Sequence, residues 1–382
     1  MWYLQIDILI RIIVACVLLA LTAGLSRMFF KKEYATKLFL IADLLILAYV
    51  SWQLCVFYAA YTVLTYLLIL WLYRIRRGRK GLFVLFCFLC AAPFFYVRAA
   101  GFFPYLPVWV ALTGIAFTML KAIDGLFFVY YAEKAIPLYI YANYMLFFPT
   151  LTSGPIFRYR DFEKTFLSPM PITSELVESC VKRFIRGMFK KVVAVTLIGI
   201  CITHLMTLPL CWYVSLLLIL CSYLTLYFDL SGYSDIAIAV GKMTGLNVPE
   251  NFKKPWTAAS FTQFWRKWHV TLSDWIREHI FVVLSGKKLN KYLSALIAFC
   301  TLMVMELWHG FTLPYIIAGV YNGGLLAIEN LFGLTTVDKR HTNKWIFWLR
   351  CLAVDFLFGI NALLFTADLP QIKAIVWGLF HA

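Results

Sequence analysis

Charged side chains are scarce in this chain. Asp, Glu, Lys and Arg make up only 14% of its 382 residues, where a soluble domain carries about 25%. That excludes a surface facing water on all sides. Acids are scarcest: 19 Asp and Glu stand against 35 Lys and Arg, a formal net charge of +16. Internal repeats, low-complexity tracts and any soluble domain are also missing. Without an Arg-rich, aromatic soluble domain, the basic balance gives no ground for nucleic-acid binding. There is no P-loop, dinucleotide fingerprint or HExxH zinc helix, and Ser231 has no nucleophile-elbow context. No basic n-region precedes the first apolar run and no small-residue cleavage site follows it. That run is therefore expected to stay as a helix.

What is present is apolar sequence: 63% of residues are hydrophobic and 18% aromatic. Apolar segments fall at 4–25, 38–73, 82–99, 103–132, 138–151, 192–207, 210–228, 232–246, 292–307, 313–332, 345–366 and 371–381. Runs near bilayer length recur too often for a soluble all-helical core. The expected fold is an all-α integral membrane protein, one polytopic domain over residues 1–382, with about eleven crossings plus re-entrant or interfacial helices. Residues 38–73 are too long for one helix and contain Ser51-Trp52-Gln53, so two crossings or a helical hairpin are expected. Basic clusters stand at Arg27-Lys31-Lys32-Lys37, Arg74-Arg76-Arg77-Arg79-Lys80, Arg158-Arg160, Lys182-Arg183-Arg186-Lys190-Lys191, Lys287-Lys288-Lys291 and Lys339-Arg340-Lys344. The positive-inside bias places them in the cytoplasm and the N-terminus outside. The ten cysteines lie mostly in apolar runs. Cys87-Phe88-Leu89-Cys90 is embedded in one and reads as packing rather than as a redox or metal pair.

Two stretches do not read as simple spans. Residues 152–191 are polar and basic. Residues 247–291 carry too many charges to span, yet hold Trp256, Phe261, Phe264, Trp265, Trp268, Trp275 and Phe281. Such a segment belongs at the interface or as a re-entrant element. Within it Phe261, Trp265, Trp268, Leu272, Trp275 and Ile276 recur at helical spacing, with His269 beside that face. A second histidine, His309, sits in Met305-Glu306-Leu307-Trp308-His309-Gly310, in sequence that otherwise spans. An imidazole at hydrocarbon depth is costly and is a functional candidate by default. Gly310 removes bulk beside His309, and Pro314 is expected to break the helix just after. A neutral imidazole there suits general-base work; the bland alternative for each histidine is a structural hydrogen bond. Asp229 and Asp235 are expected to pair with Lys or Arg, a structural role, or else to orient one of the histidines. Asp124 and Asp355 are buried polar residues without an evident partner, and His204, His279, His341 and His381 have no distinctive setting.

The combined motifs resemble those of the membrane-bound O-acyltransferase family. They are Asp229-Leu230-Ser231-Gly232-Tyr233-Ser234, Asn251-Phe252 with Pro255, Phe264-Trp265-Arg266-Lys267-Trp268-His269-Val270-Thr271-Leu272-Ser273, Trp275-Ile276-Arg277 and Trp308-His309-Gly310. The resemblance covers residues 110–332. It implies a helical funnel with a central tunnel, His309 and His269 as catalytic residues, and Trp308, Gly310, Trp265, Trp268, Asn251, Asp229, Ser273 and Arg277 lining or supporting the path. Phe147-Phe148-Pro149-Thr150 and Ser153-Gly154-Pro155-Ile156-Phe157-Arg158-Tyr159-Arg160-Asp161-Phe162 resemble the branch that transfers D-alanine to teichoic acid. That branch implies a multi-pass protein of the bacterial cell membrane with no bound cofactor and no metal. The acyl group would arrive on the phosphopantetheine arm of a small acidic carrier protein at the cytoplasmic face. An extracytoplasmic acyl-transfer partner, a cell-surface polymer acceptor and membrane lipids complete the expected partners. Phe281-Val282-Val283-Leu284 is the candidate carrier-docking patch. O-acetyltransferases of exopolysaccharide or peptidoglycan share the two-histidine core and are the alternative. A transporter or flippase relaying protons through the histidines is a third reading, but the internal repeats such proteins tend to show are absent. Three positions depart from the pattern. Glu306 stands where a small residue is usual, Asn322 where a histidine is expected, and Glu278-His279 where Asp-Tyr is common.

Overall fold

The computed structural model describes residues 32–75, 78–103, 114–285 and 290–381, together with residues 14 and 18. The rest of the first apolar run, and Arg27, Lys31, Arg76, Arg77, Lys287 and Lys288 of the basic clusters, lie outside the described residues. The described residues are helical, with no strand among them. In chain order the helices are α1 (Lys32–Val50), α2 (Trp52–Arg74), α3 (Arg79–Ala100), α4 (Ile115–Ala132), α5 (Leu138–Leu146), α6 (Tyr159–Leu167), α7 (Ser174–Met188), α8 (Val195–Leu205) and α9 (Trp212–Met243). The short α10 (Phe261–Trp265), α11 (Val270–Ile276) and α12 (Val282–Ser285) follow, then α13 (Lys291–His309), α14 (Leu313–Phe332), α15 (Lys344–Thr366) and α16 (Leu369–Gly378).

Among the described residues seven helices are long and apolar enough to cross a membrane: Trp52–Arg74, Arg79–Ala100, Ile115–Ala132, Ser174–Leu205, Trp212–Met243, Lys291–His309 and Lys344–Thr366. This is a multi-pass membrane protein, because only helices or closed barrels satisfy every backbone group in lipid. The expected interruption at Ser51 is present. Ser51 adopts an extended conformation between α1 and α2, and its hydroxyl accepts from the Leu54 amide. Two expectations are corrected. The segments 210–228 and 232–246 are one 32-residue helix, α9, since Ser231-Gly232 does not break a helix whose backbone bonds have no water to turn to. Residues 174–188, within the stretch that does not read as a simple span, are helical and run through a π-helical turn at Phe189–Ala194 into α8, one continuous 32-residue helix whose apolar part is at its C-terminal end. Its charges lie between Glu175 and Lys191, and the residues after Lys191 are mostly apolar.

The chain divides into two compact units, residues 1–186 with 234–249, and residues 187–233 with 250–382. The core of the first is aromatic and holds buried polar groups. The Phe162 ring packs against Tyr144, Phe157 and Phe166 at centroid distances of 5.4, 5.4 and 5.3 Å. Asp124, buried on α4, accepts from the Tyr159 amide at 2.6 Å and the Tyr144 hydroxyl at 3.2 Å. Lys121, one turn earlier, donates to the Tyr144 carbonyl and the Thr150 hydroxyl. Such satisfaction is what a polar group needs at this depth.

Candidate functional site in the second unit

The site is built where the chain refuses to be one helix. The apolar spacing over 261–276 reads as a single amphipathic helix, but α10 ends at Trp265 and α11 begins at Val270. His269 sits between them with φ +43°, in the left-handed region, which costs an L-residue roughly 1–2 kcal/mol. The turn is held from outside. Asn251, buried, offers its carbonyl to the Val270 amide at 2.9 Å. Its side-chain oxygen accepts from the Thr271 amide at 3.2 Å and the Thr271 hydroxyl at 2.8 Å. The Lys253 amide donates to the Lys267 carbonyl at 2.9 Å, and the Leu272 and Ser273 amides donate to the His269 carbonyl. The strained backbone therefore serves to aim one imidazole.

His309 is the last residue of α13. Gly310 follows in extended conformation, and its requirement for glycine is one of space: a Cβ there would lie 2.2 Å from the Tyr315 ring. Pro314 does not break α13 but sits in the first turn of α14, where its missing N–H costs nothing. The break is thus made by Gly310 and the residues after it.

The two imidazoles lie edge to face, with ring centroids 6.4 Å apart and planes at 67°. His269 is 5% exposed. Burial pushes its imidazole down to about 4, so it is neutral near pH 7. Its Nδ1 has no hydrogen-bond partner among the described residues. His309 is half-buried and touches Trp308 at 4.8 Å and Phe365 at 5.7 Å.

Phe252 meets the His269 ring at 6.3 Å, and an aromatic cluster packs around the preceding Trp268. Trp268 stacks on Phe264 at 5.5 Å and meets Phe358 of α15 at 4.6 Å; Trp265 meets Phe358 at 5.8 Å. A neighbouring cavity of about 240 Å³ is lined by Trp265, Arg266, Ser273, Arg277 and Phe281 among others, but not by either histidine. Ser273 donates its hydroxyl to the Trp268 carbonyl at 3.3 Å. Arg277 is exposed and bonded to Asp274 and Glu278, surface pairs of little energy. Val282, Val283 and Leu284 are all exposed.

Asp229 is held by an ion pair. Its carboxylate pairs with Lys191 at 2.6 Å, and in the first unit Asp235 pairs with Arg183 at 2.9 Å, which is the structural role expected of both. Asp355 accepts from the Tyr223 hydroxyl at 3.3 Å. Two features escaped sequence reasoning. His279 is buried, stacked on Trp275 at 4.2 Å, with Nδ1 at 2.9 Å from the Trp275 carbonyl; its i, i+4 spacing was the available signal. Glu306, Asn322 and Asn361 form a buried hydrogen-bonded chain.

The family model for membrane-bound O-acyltransferases matches residues 128–347. A probable alginate O-acetylase, AlgI, of Pseudomonas fluorescens is 33% identical over 261 residues, 66% of this chain and 52% of that protein. A teichoic acid D-alanyltransferase of Streptococcus thermophilus is 30% identical over 289 residues, 68% of this chain and 66% of that protein. A peptidoglycan O-acetyltransferase of Helicobacter pylori is 30% identical over 224 residues, 55% of this chain and 41% of that protein. The chain spans about half the length of the alginate O-acetylases it matches.

Proposed function

The chain belongs to the membrane-bound O-acyltransferase family, and we propose that it moves an acyl group from a thioester donor to a hydroxyl acceptor, with His309 as the proton-accepting residue. The observation that carries this is the edge-to-face pair of imidazoles, 6.4 Å apart, one of them neutral and aimed by a strained turn. His309 takes the proton of the acceptor hydroxyl as its oxygen attacks the thioester carbon. The C–O bond forms, the C–S bond breaks, and the proton passes from His309 to the departing sulfur. Neutral His269, or a backbone N–H, stabilises the oxyanion by donating a hydrogen bond. A general base contributes about a hundredfold to ten-thousandfold, and positioning in a water-poor site supplies the rest and limits thioester hydrolysis.

The acyl group in this proposal is D-alanine, carried as a thioester on the phosphopantetheine arm of a small acidic carrier and destined for teichoic acid hydroxyls, with an extracytoplasmic partner between. The likeness to teichoic acid D-alanyltransferases and the motifs at 147–162 support it. An acidic carrier suits a chain with 35 Lys and Arg, and the exposed Val282-Val283-Leu284 run gives it an apolar anchor. The proposed location is the bacterial cell membrane, with the basic clusters and the carrier in the cytoplasm and the N-terminus outside. A second reading, O-acetylation of a surface polysaccharide, is favoured by the 33% identity to alginate O-acetylases. Membrane vesicles given carrier charged with radioactive D-alanine, or a radioactive acetyl donor, separate the two. D-alanyl label transferred by the wild type and lost in His309→Ala is the expected result. Transfer of acetyl alone would replace the D-alanyl assignment, and full transfer by His309→Ala would sink the catalytic one.

A further inference from the structure

Two of the residues that depart from the family pattern meet each other. Glu306 on α13 and Asn322 on α14 are sixteen residues apart, and the Asn322 Nδ2 donates to Glu306 Oε1 at 2.7 Å. The same nitrogen donates to Asn361 Oδ1 on α15 at 3.0 Å. The three residues are 1%, 0% and 1% exposed. No cation pairs with Glu306 among the described residues. An ionised carboxylate buried in this way costs several kcal/mol or more.

Two atoms of this group have no hydrogen-bond partner among the described residues: Glu306 Oε2 and Asn322 Oδ1. Both are oxygens, so as a carboxylate and an amide they are acceptors facing no donor. They are also the unused halves of the two groups that already share one hydrogen bond. A hydrogen on Oε2 directed at Oδ1 completes an eight-membered acid–amide ring, in which each partner donates once and accepts once. Every orphan is then satisfied without an ion.

We infer that Glu306, as a neutral carboxylic acid, and Asn322 form an acid–amide pair that fixes α13 to α14 and so positions His309 for transfer. Glu306 lies three residues before His309, on the same face of the last helical turn. α13 ends at His309, whose ring meets Trp308 and Phe365, so the placement of this last turn sets where the imidazole stands. The two helices are close at this level. A Cβ on Gly319 would lie 2.4 Å from Met303 Sδ and 3.5 Å from Glu306 Cβ, and one on Gly323 would lie 2.9 Å from the Phe299 carbonyl oxygen. Small residues permit such approach in a membrane, and a side-chain hydrogen bond then sets the register. Glu306 is a positioning residue here; the inference rests on the assignment of His309 as the base.

The test uses the full-length protein in membranes or detergent. Glu306→Gln preserves a ring of the same shape, with the Gln amide donating to Asn322 Oδ1 and its carbonyl accepting from Nδ2. Glu306→Ala removes the acid and leaves Asn322 with only its bond to Asn361 on α15. The alanine variant is expected to lose roughly tenfold to a hundredfold in kcat, with KM for the acyl donor unchanged. The glutamine variant should restore kcat to within a few-fold of wild type, with the same pH profile. Infrared difference spectra, wild type minus Glu306→Gln, should contain the carbonyl stretch of a protonated carboxyl. A carboxylate band instead, or glutamine as damaging as alanine, overturns the neutral pair. Wild-type kcat in Glu306→Ala overturns the positioning role. The spectra keep the pair testable even if the alanine variant fails to fold. If His309→Ala keeps full transfer, the catalytic assignment fails and takes the positioning role with it, while the infrared result still decides the pair.

Discussion

Replacing Asn251 by alanine removes the side chain that holds the chain just after His269. Two donors lose their acceptor at once, the Thr271 amide and the Thr271 hydroxyl, and Thr271 is itself buried. Each buried group left unpaired costs about 1–3 kcal/mol, so the native turn loses roughly 2–6 kcal/mol if it keeps its shape. It need not keep it. His269 at φ +43° stores about 1–2 kcal/mol that relaxation recovers. The lost clamp exceeds the strain it restrains, so the turn is expected to relax and to carry the imidazole away from His309. A displacement near 1 Å costs on the order of a hundredfold in rate. The assay is acyl transfer in vesicles for Asn251→Ala and Asn251→Asp, with thermal unfolding in detergent alongside. Aspartate keeps the acceptor oxygen and should retain most of the transfer. The alanine variant should lose on the order of a hundredfold in transfer, with a small fall in unfolding temperature. Wild-type transfer by Asn251→Ala would refute the view that this clamp aims His269.

Three other outcomes are expected. His309→Ala should abolish transfer while insertion and unfolding temperature stay close to wild type; a variant that transfers normally would remove His309 from the mechanism. Val282→Asp or Val283→Asp places a charge in an exposed apolar run and should weaken carrier binding at least tenfold without changing transfer at saturating carrier, as judged by titration with charged carrier. Because His269 is held neutral in the fold down to about 4, the unfolded chain takes up its proton first as pH falls. This group's contribution is therefore complete above about pH 6.5 and lost progressively toward pH 4, roughly 3 kcal/mol in all. Denaturant unfolding of wild type and His269→Gln between pH 7 and 4.5 checks it; identical slopes would count against the buried neutral imidazole.

The fold class was legible because lipid leaves so few options. Segments such as 52–74, 79–100 and 344–366 are apolar at bilayer length, and a continuous apolar run of that length satisfies its backbone in hydrocarbon only as a helix, the closed barrel needing shorter alternating strands. The interruption at Ser51 was legible for a local reason, since a serine between two apolar runs caps the second. The merging of 210–228 with 232–246 was not, because Ser231-Gly232 reads as punctuation in water and as tolerated helix interior in a membrane. The period over 261–276 misled in the opposite direction. Phe261, Trp265, Trp268 and Leu272 share a helical spacing and are all buried, but several pack there through the break at His269 rather than through one continuous face. Local periodicity cannot see Asn251, some twenty residues upstream, which supplies the hydrogen bonds that make the break affordable.

Glu306 and Asn322 show why the rest of the site needed three dimensions. Each departs alone from a pattern, and each alone is unfavourable at this depth: a carboxylic group with no cation, and an amide with two hydrogens and two lone pairs to satisfy. Together they are complementary, and the sixteen residues between them are the length of a descent through α13, a turn at Gly310 and a return along α14. The loss of a histidine at position 322 then does not imply a damaged site. A histidine there would offer one donor to Glu306, whereas asparagine offers a donor and an acceptor arranged side by side, which is the geometry a carboxylic acid matches. On this reading the pair sets the distance between two helices beside His309, and replacing either partner alone disturbs it.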